Sequence, residues 1–442
     1  MHIIYRESHG LEETDVPRDL GQSPADLVAL SFSDSDLGAF AAGWHRAQEA
    51  GTPLPSLRLA NIATLRHPLS VDVYCEQTLA GVKGILVRLS GGESYWSYGL
   101  AGLQDLARRD GVALAVLPAD GRPDARLDAL SSLPVSTLRR LQHLCDAGGA
   151  VAAQAALAQL ALAAGLYAKP VTGLKTVPDT GFYRTRSGIV AAADIGGMTG
   201  RPCAVVTFYR SYLTAADTAP VDALLEALEA HGYEAVGLFA PSLKPPSIAN
   251  WLRSRIAELK PAVILNATAF SAKGSDEETS PLDVAGCPVF QVALSTAGRK
   301  LWLDSERGLS PADLAMHVVL PEVDGRIFAG VTSFKSSAPH DPDLQFSRLI
   351  HQPDPERVAA VVARAVGWHR LAQLPASQVR PGIVLSTYPG RDDQIAHAVG
   401  LDAIASTDAI LTELAQQGFA VTTAGHLGER LLDETETWPL AA

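Results

Sequence analysis

The stretch CAVVTFYRSYLTAADTAPVDALLEALEAHGYEAVGLFAP, residues 203–241, decides the fold class. A short apolar run ends in a polar loop with aromatic residues, a helical pattern follows, and Gly232 leads into a second apolar run. This order predicts a strand, a helix and a parallel strand, the unit of α/β layer folds. Such sheets bind ligands at the carboxyl ends of their strands, which makes the loop at Tyr209 and Arg210 a candidate site.

The same pattern occurs twice more. One copy is GILVRLSGGESYWSYGLAGLQDLARRDGVALAVLP (84–118), and the other is GIVLSTYPGRDDQIAHAVGLDAIASTDAILTELAQQGFAVT (382–422). We therefore predict a multi-domain α/β protein with tandem doubly wound, flavodoxin-like parallel sheets flanked by helices. The aromatic and basic residues that follow the first apolar run of these two copies are Tyr95, Trp96, Tyr98, Tyr388 and Arg391.

Composition shifts divide the chain into four parts. Residues 1–135 are predicted to form an N-terminal α/β domain and residues 136–200 a helical segment with a linker. Residues 201–375 are predicted to form a second α/β domain, and residues 376–442 the start of a third α/β unit. One strand, helix and strand leave a sheet edge uncovered, so we expect the third unit to be truncated and the chain to be a fragment of a longer protein.

Composition indicates a soluble globular protein. Of its 442 residues, 47% are hydrophobic and 19% charged, and the formal net charge of -12 argues against a nucleic-acid surface. Four widely spaced cysteines without a CxxC motif favour reduced thiols and a cytoplasmic location. Residues 147–168 contain no charged residue and are long enough to span a bilayer. Their high alanine content and two glutamines favour a buried helix instead.

Several catalytic motifs are absent from the sequence. It contains no GxxxxGK[ST], GxGxxG after a strand, HExxH or GxSxG. ATP hydrolysis would therefore require a partner protein.

Two segments carry candidate chemistry. The loop SGGESYWSYG (90–99) offers aromatic faces that could stack on a large planar ligand, or alternatively pack a domain interface. In HVVLPEVDGRIFAG (317–330), polar residues surround a predicted turn at Pro321 between two predicted strands. They could bind a divalent metal or accept a proton, or alternatively form a hairpin corner with a salt bridge. Arg210 and Arg391 follow strands and suit carboxylate binding, with surface salt bridges as the alternative.

Several segments resemble the large subunit of aerobic cobaltochelatases of the CobN type and, more distantly, that of magnesium chelatases. The likeness runs in order from about Met1 to Thr423. The segments that carry it are DLGQSPADLVALSFSDSDL (19–37), PSLRLANIATLRHPLSVDVYCEQT (55–78), GGESYWSYGL (91–100), GVALAVLPADGRPD (111–124), LPEVDGRIFAG (320–330) and YPGRDDQIAHAVGLDAIASTDAILTELAQQGF (388–419).

The resemblance implies a tetrapyrrole-binding subunit of a ligase that forms nitrogen–metal bonds in cobalamin biosynthesis. Family members insert Co2+ into hydrogenobyrinic acid a,c-diamide, while a partner AAA+ ATPase subunit, together with a companion chelatase subunit, hydrolyses ATP. Family large subunits are much longer, and their GTHG…LEW segment has no match in this sequence. PGRDDQ also differs from the family's residues after YP.

The resemblance and the motifs together give the predicted site. Glu322 and Asp324 are the predicted catalytic residues for proton or metal handling. The metal ligands are not assigned, although His317 is a candidate. The predicted substrate-binding residues are Tyr95, Trp96, Tyr209, Arg210, Arg326 and Tyr388. The alternatives are a magnesium chelatase large subunit acting on protoporphyrin IX and a non-catalytic ligand-binding or interaction module. Neither nucleic acid nor a membrane is expected as a partner.

Overall fold

The computed structural model describes residues 17–89, 91–119, 123–171, 176–195, 200–274, 279–386, 396, 399–421, 427–428 and 431. The chain divides into two compact units, Met1–Ala365 and Val366–Ala442. The first unit contains two β-sheets with flanking helices, as the repeated sequence pattern predicts. All strands of the first sheet are parallel, and those of the second are mostly parallel.

The first sheet has four parallel strands in the order β2-β1-β3-β4. Most of their residues are buried, because helices cover both faces of a doubly wound sheet. The predicted alternation of strand and helix is confirmed in this part of the chain. The strands are β1 (Leu27–Ser31), β2 (Leu57–Asn61), β3 (Gly84–Leu89) and β4 (Ala113–Pro118).

Six α-helices accompany this sheet. Ser33 begins the first of them, since its side chain accepts a hydrogen bond from the backbone N–H of Asp36. The first and sixth helices pack closely at Gly43. A Cβ atom there would lie 2.6 Å from the backbone nitrogen of Gln154, so a larger residue at position 43 would push the helices apart. The helices are α1 (Asp34–Glu49), α2 (Pro68–Gln77), α3 (Ser97–Asp110), α4 (Ala125–Leu130), α5 (Val135–Ala147) and α6 (Gly149–Ala163).

The second sheet has eight strands in the order β12-β11-β10-β9-β7-β8-β5-β6. The five central strands, β11 to β8 in this order, are parallel, and the edge strands pair antiparallel. The strands are β5 (Gly181–Arg184), β6 (Gly188–Val190), β7 (Cys203–Tyr209), β8 (Glu234–Ala240), β9 (Val263–Asn266), β10 (Val289–Leu294), β11 (Ile327–Ser337) and β12 (Leu349–Pro353).

Helices connect the strands of the second sheet, and a π-helical turn, Ala315–Val319, lies between two of them. These helices are α7 (Arg210–Thr214), α8 (Ala219–Ala230), α9 (Pro246–Leu259), α10 (Arg299–Asp304), α11 (Pro311–Leu314), α12 (Leu320–Glu322) and α13 (Pro355–Gln373). Short 3-10 helices are Ile62–Leu65, Glu93–Tyr95, Ala192–Ile195, Asp283–Ala285 and Ala376–Gln378. The second unit contains the end of α13 and helix α14 (Ala403–Gln416).

The loop between β11 and β12, residues 338–348, joins the two sheets of the first unit, and we name it the strap. Leu344 from the strap is fully buried in the hydrophobic core of the first sheet. Arg58 donates a 2.9 Å hydrogen bond to the backbone oxygen of Asp343, and His45 lies 2.5 Å from a carboxylate oxygen of Asp341. The strap thus connects two strands of the second sheet and packs against the first sheet.

Three secondary-structure predictions are wrong. Residues 181–190, predicted as linker, form the β5–β6 hairpin at the sheet edge. The segment before Pro321, predicted as a strand, is helical, because Ser310 caps a helix that begins at Pro311. The two predicted strands of the third copy are also not formed, because residues 382–386 and 419–421 pair with no strand among the described residues. The bounds of the four predicted parts of the chain remain predictions.

Residues 147–168 contain α6, which is largely buried against α1. Within the described parts of the chain, no helix combines the length and apolar composition needed to cross a membrane.

Candidate functional site

The chain order of the second sheet creates a switch point between β7 and β9. From β7 the chain first adds β8 on one side and later β9 on the other. Ligands of open α/β sheets bind where connections diverge in this way. Tyr209 ends β7 at this point, and its hydroxyl donates to the backbone oxygen of Ala269 over 2.7 Å. The backbone N–H of Ala269 donates back to the same hydroxyl over 3.2 Å.

A row of buried polar side chains crosses three neighbouring strands beside this point. Thr207, Asn266 and Gln291 occupy paired positions in β7, β9 and β10. The Thr207 hydroxyl donates to Asn266 Oδ1 over 2.5 Å, and Asn266 Nδ2 donates to Gln291 Oε1 over 2.7 Å. Burying such groups is costly unless they are hydrogen-bonded, so the row favours one strand register.

Arg326 and Asp324 extend this row before β11. Arg326 donates to Gln291 Oε1 over 3.2 Å and to Asp324 Oδ2 over 2.8 Å. The Asp324 carboxylate also accepts hydrogen bonds from the Ser271 hydroxyl (2.5 Å) and the backbone N–H of Ala272 (2.6 Å). Burial lowers the pKa of Arg326, and the nearby carboxylate of Asp324 opposes that shift. The pair therefore holds the loop after β9 against the start of β11.

Glu322 does not join this group. It ends helix α12 and is exposed, whereas Asp324 is buried. Two residues separated by one position in a helical segment do not share a face, so their carboxyl groups lie in different environments. The structure therefore does not bring the two predicted catalytic carboxylates, Glu322 and Asp324, into one environment. A catalytic role for either remains a prediction.

A second polar cluster lies near the carboxyl ends of β10 and β11. Asp313 is fully buried and accepts hydrogen bonds from the Ser295 hydroxyl (3.1 Å) and from the hydroxyl of Thr296 (2.8 Å). His317, on the π-helical turn, places Nε2 3.9 Å from an Asp313 oxygen. Burial lowers the pKa of His317 to about 4, although the charge of Asp313 opposes this shift.

His351 and Asp217 complete the second cluster. His351 Nδ1 lies 3.0 Å from Asp217 Oδ2, and the backbone N–H of His351 donates to the same carboxylate. Lys335 Nζ is 3.5 Å from Asp217. No sequence pattern points to these residues, because His351 is isolated in the sequence and only the pairing of β12 with β11 brings it beside Lys335.

The aromatic loop of the first sheet differs from the prediction. Trp96 is only 5% exposed, and its indole Nε1 donates to the backbone oxygen of Leu65 over 2.8 Å. It therefore belongs to the core, and the expectation that it faces a ligand beside Tyr95 is wrong. Tyr95 is 53% exposed and lies against Gly91, where a Cβ would come within 2.4 Å of its ring. Tyr388 and Arg391 lie outside the described residues.

Arg210 connects the two sheets. Its guanidinium donates to the backbone oxygens of Val177 (2.7 Å), Pro178 (3.0 Å) and Ala147 (3.2 Å), where α5 ends. Asp146, the residue before Ala147, accepts a 2.9 Å hydrogen bond from Arg88 near the end of β3. The carboxyl ends of both sheets therefore lie on the two sides of the end of α5. A ligand carboxylate would have to displace the carbonyl groups that Arg210 already binds.

A cavity of about 10 Å³ lies at this junction, and Asp36, Phe40, Cys145 and Gly148 are among its lining residues. A cavity of this volume has room for about one water molecule, so it does not enclose a tetrapyrrole. Among the residues that the structure describes, no three His, Cys, Asp or Glu side chains converge to hold a metal ion.

The fold and these sites define the class: a tandem-sheet α/β protein with buried polar clusters along its larger sheet. Residues 144–439 match the model of the CobN/magnesium chelatase family. The chain belongs to this family.

Two relatives in this family match the chain to different extents. The chain is 34% identical to an aerobic cobaltochelatase subunit CobN from Sinorhizobium, over 98% of this chain and 34% of that protein. It is 28% identical to a magnesium-chelatase subunit from Rhodobacter capsulatus, over 48% of this chain and 19% of that protein. The chain thus spans about a third of the length of the CobN relative.

A solved structure of a cobaltochelatase subunit is also similar to this chain. The catalytic subunit of cobaltochelatase from Mycobacterium tuberculosis matches 90% of this chain and 31% of its own chain, with a TM-score of 0.61 and 26% sequence identity.

Proposed function

We propose that this chain acts in the large subunit of an aerobic cobaltochelatase and contributes to tetrapyrrole binding during Co2+ insertion. The proposal rests on the CobN relative, which is 34% identical over 98% of this chain. The structural match to a cobaltochelatase catalytic subunit supports it. Co2+ and hydrogenobyrinic acid a,c-diamide are the proposed substrates.

The reaction defines what the protein must supply. Metal insertion removes protons from ring nitrogens, strips water from the cation and requires the ring to be held in place. Tyr95 is the exposed aromatic side chain proposed to contact the ring, and Tyr209 is proposed to bind the substrate at the switch point. Glu322, as an exposed carboxylate, is the proposed proton acceptor.

Other predicted residues are better suited to positioning. Both oxygens of the Asp324 carboxylate are engaged, and Arg326 is buried beside them. We propose that this pair fixes the loop after β9 and that Arg210 fixes the junction between the sheets. The substrate would therefore meet a surface that they position, without direct contact to Asp324 or Arg326.

The energy source is proposed to lie in other subunits. The sequence contains no P-loop motif, in keeping with ATP hydrolysis by a partner AAA+ subunit working with a companion chelatase subunit. The second candidate function is that of a magnesium chelatase large subunit acting on protoporphyrin IX. The match to the magnesium-chelatase relative supports it, but over only 48% of this chain.

Ligand binding by the 442-residue chain tests the proposal. Its six tryptophans allow titration with hydrogenobyrinic acid a,c-diamide or protoporphyrin IX to be followed by fluorescence quenching. We expect the cobyrinic ligand to bind more tightly. Tighter binding of protoporphyrin IX would favour the magnesium enzyme, and binding of neither would contradict tetrapyrrole binding by this chain.

Two matched variants locate the contact. Tyr95→Ala should weaken the quenching titration about tenfold, because one aromatic contact and its buried area contribute about 1–2 kcal/mol. Tyr167→Ala removes a tyrosine that is 84% exposed elsewhere and should leave the titration unchanged. Equal effects of the two substitutions would exclude Tyr95 from the ligand site.

A further inference from the structure

Two buried histidines of the second cluster each direct one ring nitrogen into the protein interior. His317 is 5% exposed and His351 is 6% exposed. Among the described residues, neither His317 Nδ1 nor His351 Nε2 has a hydrogen-bond partner. Buried polar atoms are usually paired, so two such nitrogens at one sheet edge require an explanation.

The opposite side of each ring faces a carboxylate. His351 Nδ1 lies 3.0 Å from Asp217, and His317 Nε2 lies 3.9 Å from Asp313. A carboxylate hydrogen-bonded to one ring nitrogen, with the other nitrogen free, is the usual arrangement of a metal-binding histidine, because the carboxylate orients the ring and increases its basicity. The 3.0 Å contact of His351 has this arrangement, whereas the 3.9 Å separation at His317 is an electrostatic contact without a hydrogen bond.

Shared neighbours place the two histidines in one cluster. Asp313 contacts the Ser295 hydroxyl, and the backbone N–H of Ser295 donates to the Ser333 carbonyl over 2.9 Å. Ser333 lies two residues before Lys335 on β11, and Lys335 is the register partner of His351. The buried hydroxyl of Ser333 also lacks a partner within the described ranges. The charge of His351 lowers the pKa of His317, which places the rings within electrostatic range.

We propose that His317 Nδ1 and His351 Nε2 bind a divalent transition-metal ion of the Co2+, Ni2+ and Zn2+ type. Neutral imidazole suits these ions, whereas Mg2+ prefers oxygen ligands. Asp217 and Asp313 carry two negative charges beside the rings, and Lys335 offsets one of them, so the local net charge favours a cation.

Two imidazoles would leave the other metal positions to water or a small ligand. No third His, Cys, Asp or Glu side chain joins them within the described part of the chain. An incomplete ligand set holds a metal less firmly than a closed four-ligand site, which suits an ion that must be released. This inference concerns metal binding by the chain alone and does not depend on the proposed tetrapyrrole function.

Titration of the tag-free 442-residue chain with Co2+ tests the site through the visible absorption of nitrogen-bound cobalt. We expect one equivalent to bind, Mg2+ not to compete, and His317→Gln and His351→Gln each to weaken binding about tenfold or more. His143→Gln, at an exposed histidine, is the matched control and should bind as the unaltered chain does. Unchanged Co2+ binding in both interior variants would overturn the proposal.

A second measurement does not depend on whether the variants fold. Crystals of the unaltered chain soaked in Co2+ should show an anomalous difference peak between His317 and His351. A peak elsewhere, or none at these residues, would overturn the site. Either result leaves the tetrapyrrole titration to decide the proposed function separately.

Discussion

Arg326 Nη2 donates to Asp324 Oδ2 over 2.8 Å, and both side chains lie in the protein interior just before β11. Through Ser271 and Ala272, the same carboxylate holds the loop after β9. The pair thus connects the start of β11 to the loop that follows β9, one of the two strands of the switch point. Its first consequence is for stability.

Arg326→Met should lower the free energy of unfolding by about 3–5 kcal/mol, because it leaves the Asp324 carboxylate buried without its cation. Urea unfolding followed by circular dichroism measures the change. Glu322→Gln, at the exposed neighbouring position, should change the free energy by less than about 0.5 kcal/mol. Equal stability of Arg326→Met and the unaltered chain would contradict the structural role of the pair.

Trp96→Phe should cost about 1–3 kcal/mol of unfolding free energy, since the Leu65 carbonyl loses its buried donor and a void remains. Thermal and urea unfolding measure this cost. Tyr95→Ala, one residue away on the exposed side, should leave stability nearly unchanged. A larger loss for Tyr95→Ala than for Trp96→Phe would contradict the burial of Trp96 in the core and the exposure of Tyr95 on the surface.

The strap predicts a pH-dependent contribution. Burial raises the pKa of Asp341. Hydrogen bonds from His45 and from backbone N–H groups lower the pKa by more than burial raises it, so the pKa lies below its usual 3.8. The carboxylate therefore stabilises the fold above about pH 4, and the contribution is lost as the pH falls through the lowered pKa.

Asp341→Asn should accordingly destabilise the chain by about 1 kcal/mol at pH 7, a value that allows for partial solvent exposure of the pair. The difference from the unaltered chain should shrink as the pH is lowered below 3.8. Asp343→Asn, an exposed aspartate of the same strap, is the control and should show little change at either pH. A difference that grows on acidification would refute this assignment.

Burial also predicts slow thiol chemistry. All four cysteines are free, and burial raises the pKa of Cys145 and Cys203 to about 12. The thiolate is the reactive form, so these two thiols should react with iodoacetamide far more slowly in the folded chain at pH 8 than in urea. Mass spectrometry of labelled peptides measures each rate. Rapid labelling of folded Cys203 would contradict its burial.

Much of the fold could be predicted because its strands are short apolar runs that end at Gly, Ser or Asp. The β5–β6 hairpin could not, since its strands are three and four residues long and take their place from pairing with β8. The segment His317–Leu320 carries apolar residues that suit either a strand or a helix. The cap at Ser310, seven residues earlier, decides for the helix.

The site was predicted to the extent that it follows from parallel strands. Tyr209 lies at the carboxyl end of its strand, as the parallel arrangement predicts. Asp324 and Arg326 instead precede β11 and contact the loop after β9 through side-chain hydrogen bonds. The partnership of His317 with His351 depends on the strand order β12-β11-β10, which no local pattern contains. The burial of Trp96 likewise depends on the Leu65 carbonyl, which comes from another part of the chain.

The most direct test of the central claim is hydrogen–deuterium exchange of the 442-residue chain with and without hydrogenobyrinic acid a,c-diamide. If the strand ends form the tetrapyrrole surface, amides of residues 209–216 and 91–98 should exchange more slowly with ligand. Amides of residues 232–234, at the opposite edge of the second sheet, should be unchanged. Protection confined to that opposite edge, or saturable binding without protection at either strand-end segment, would contradict the account.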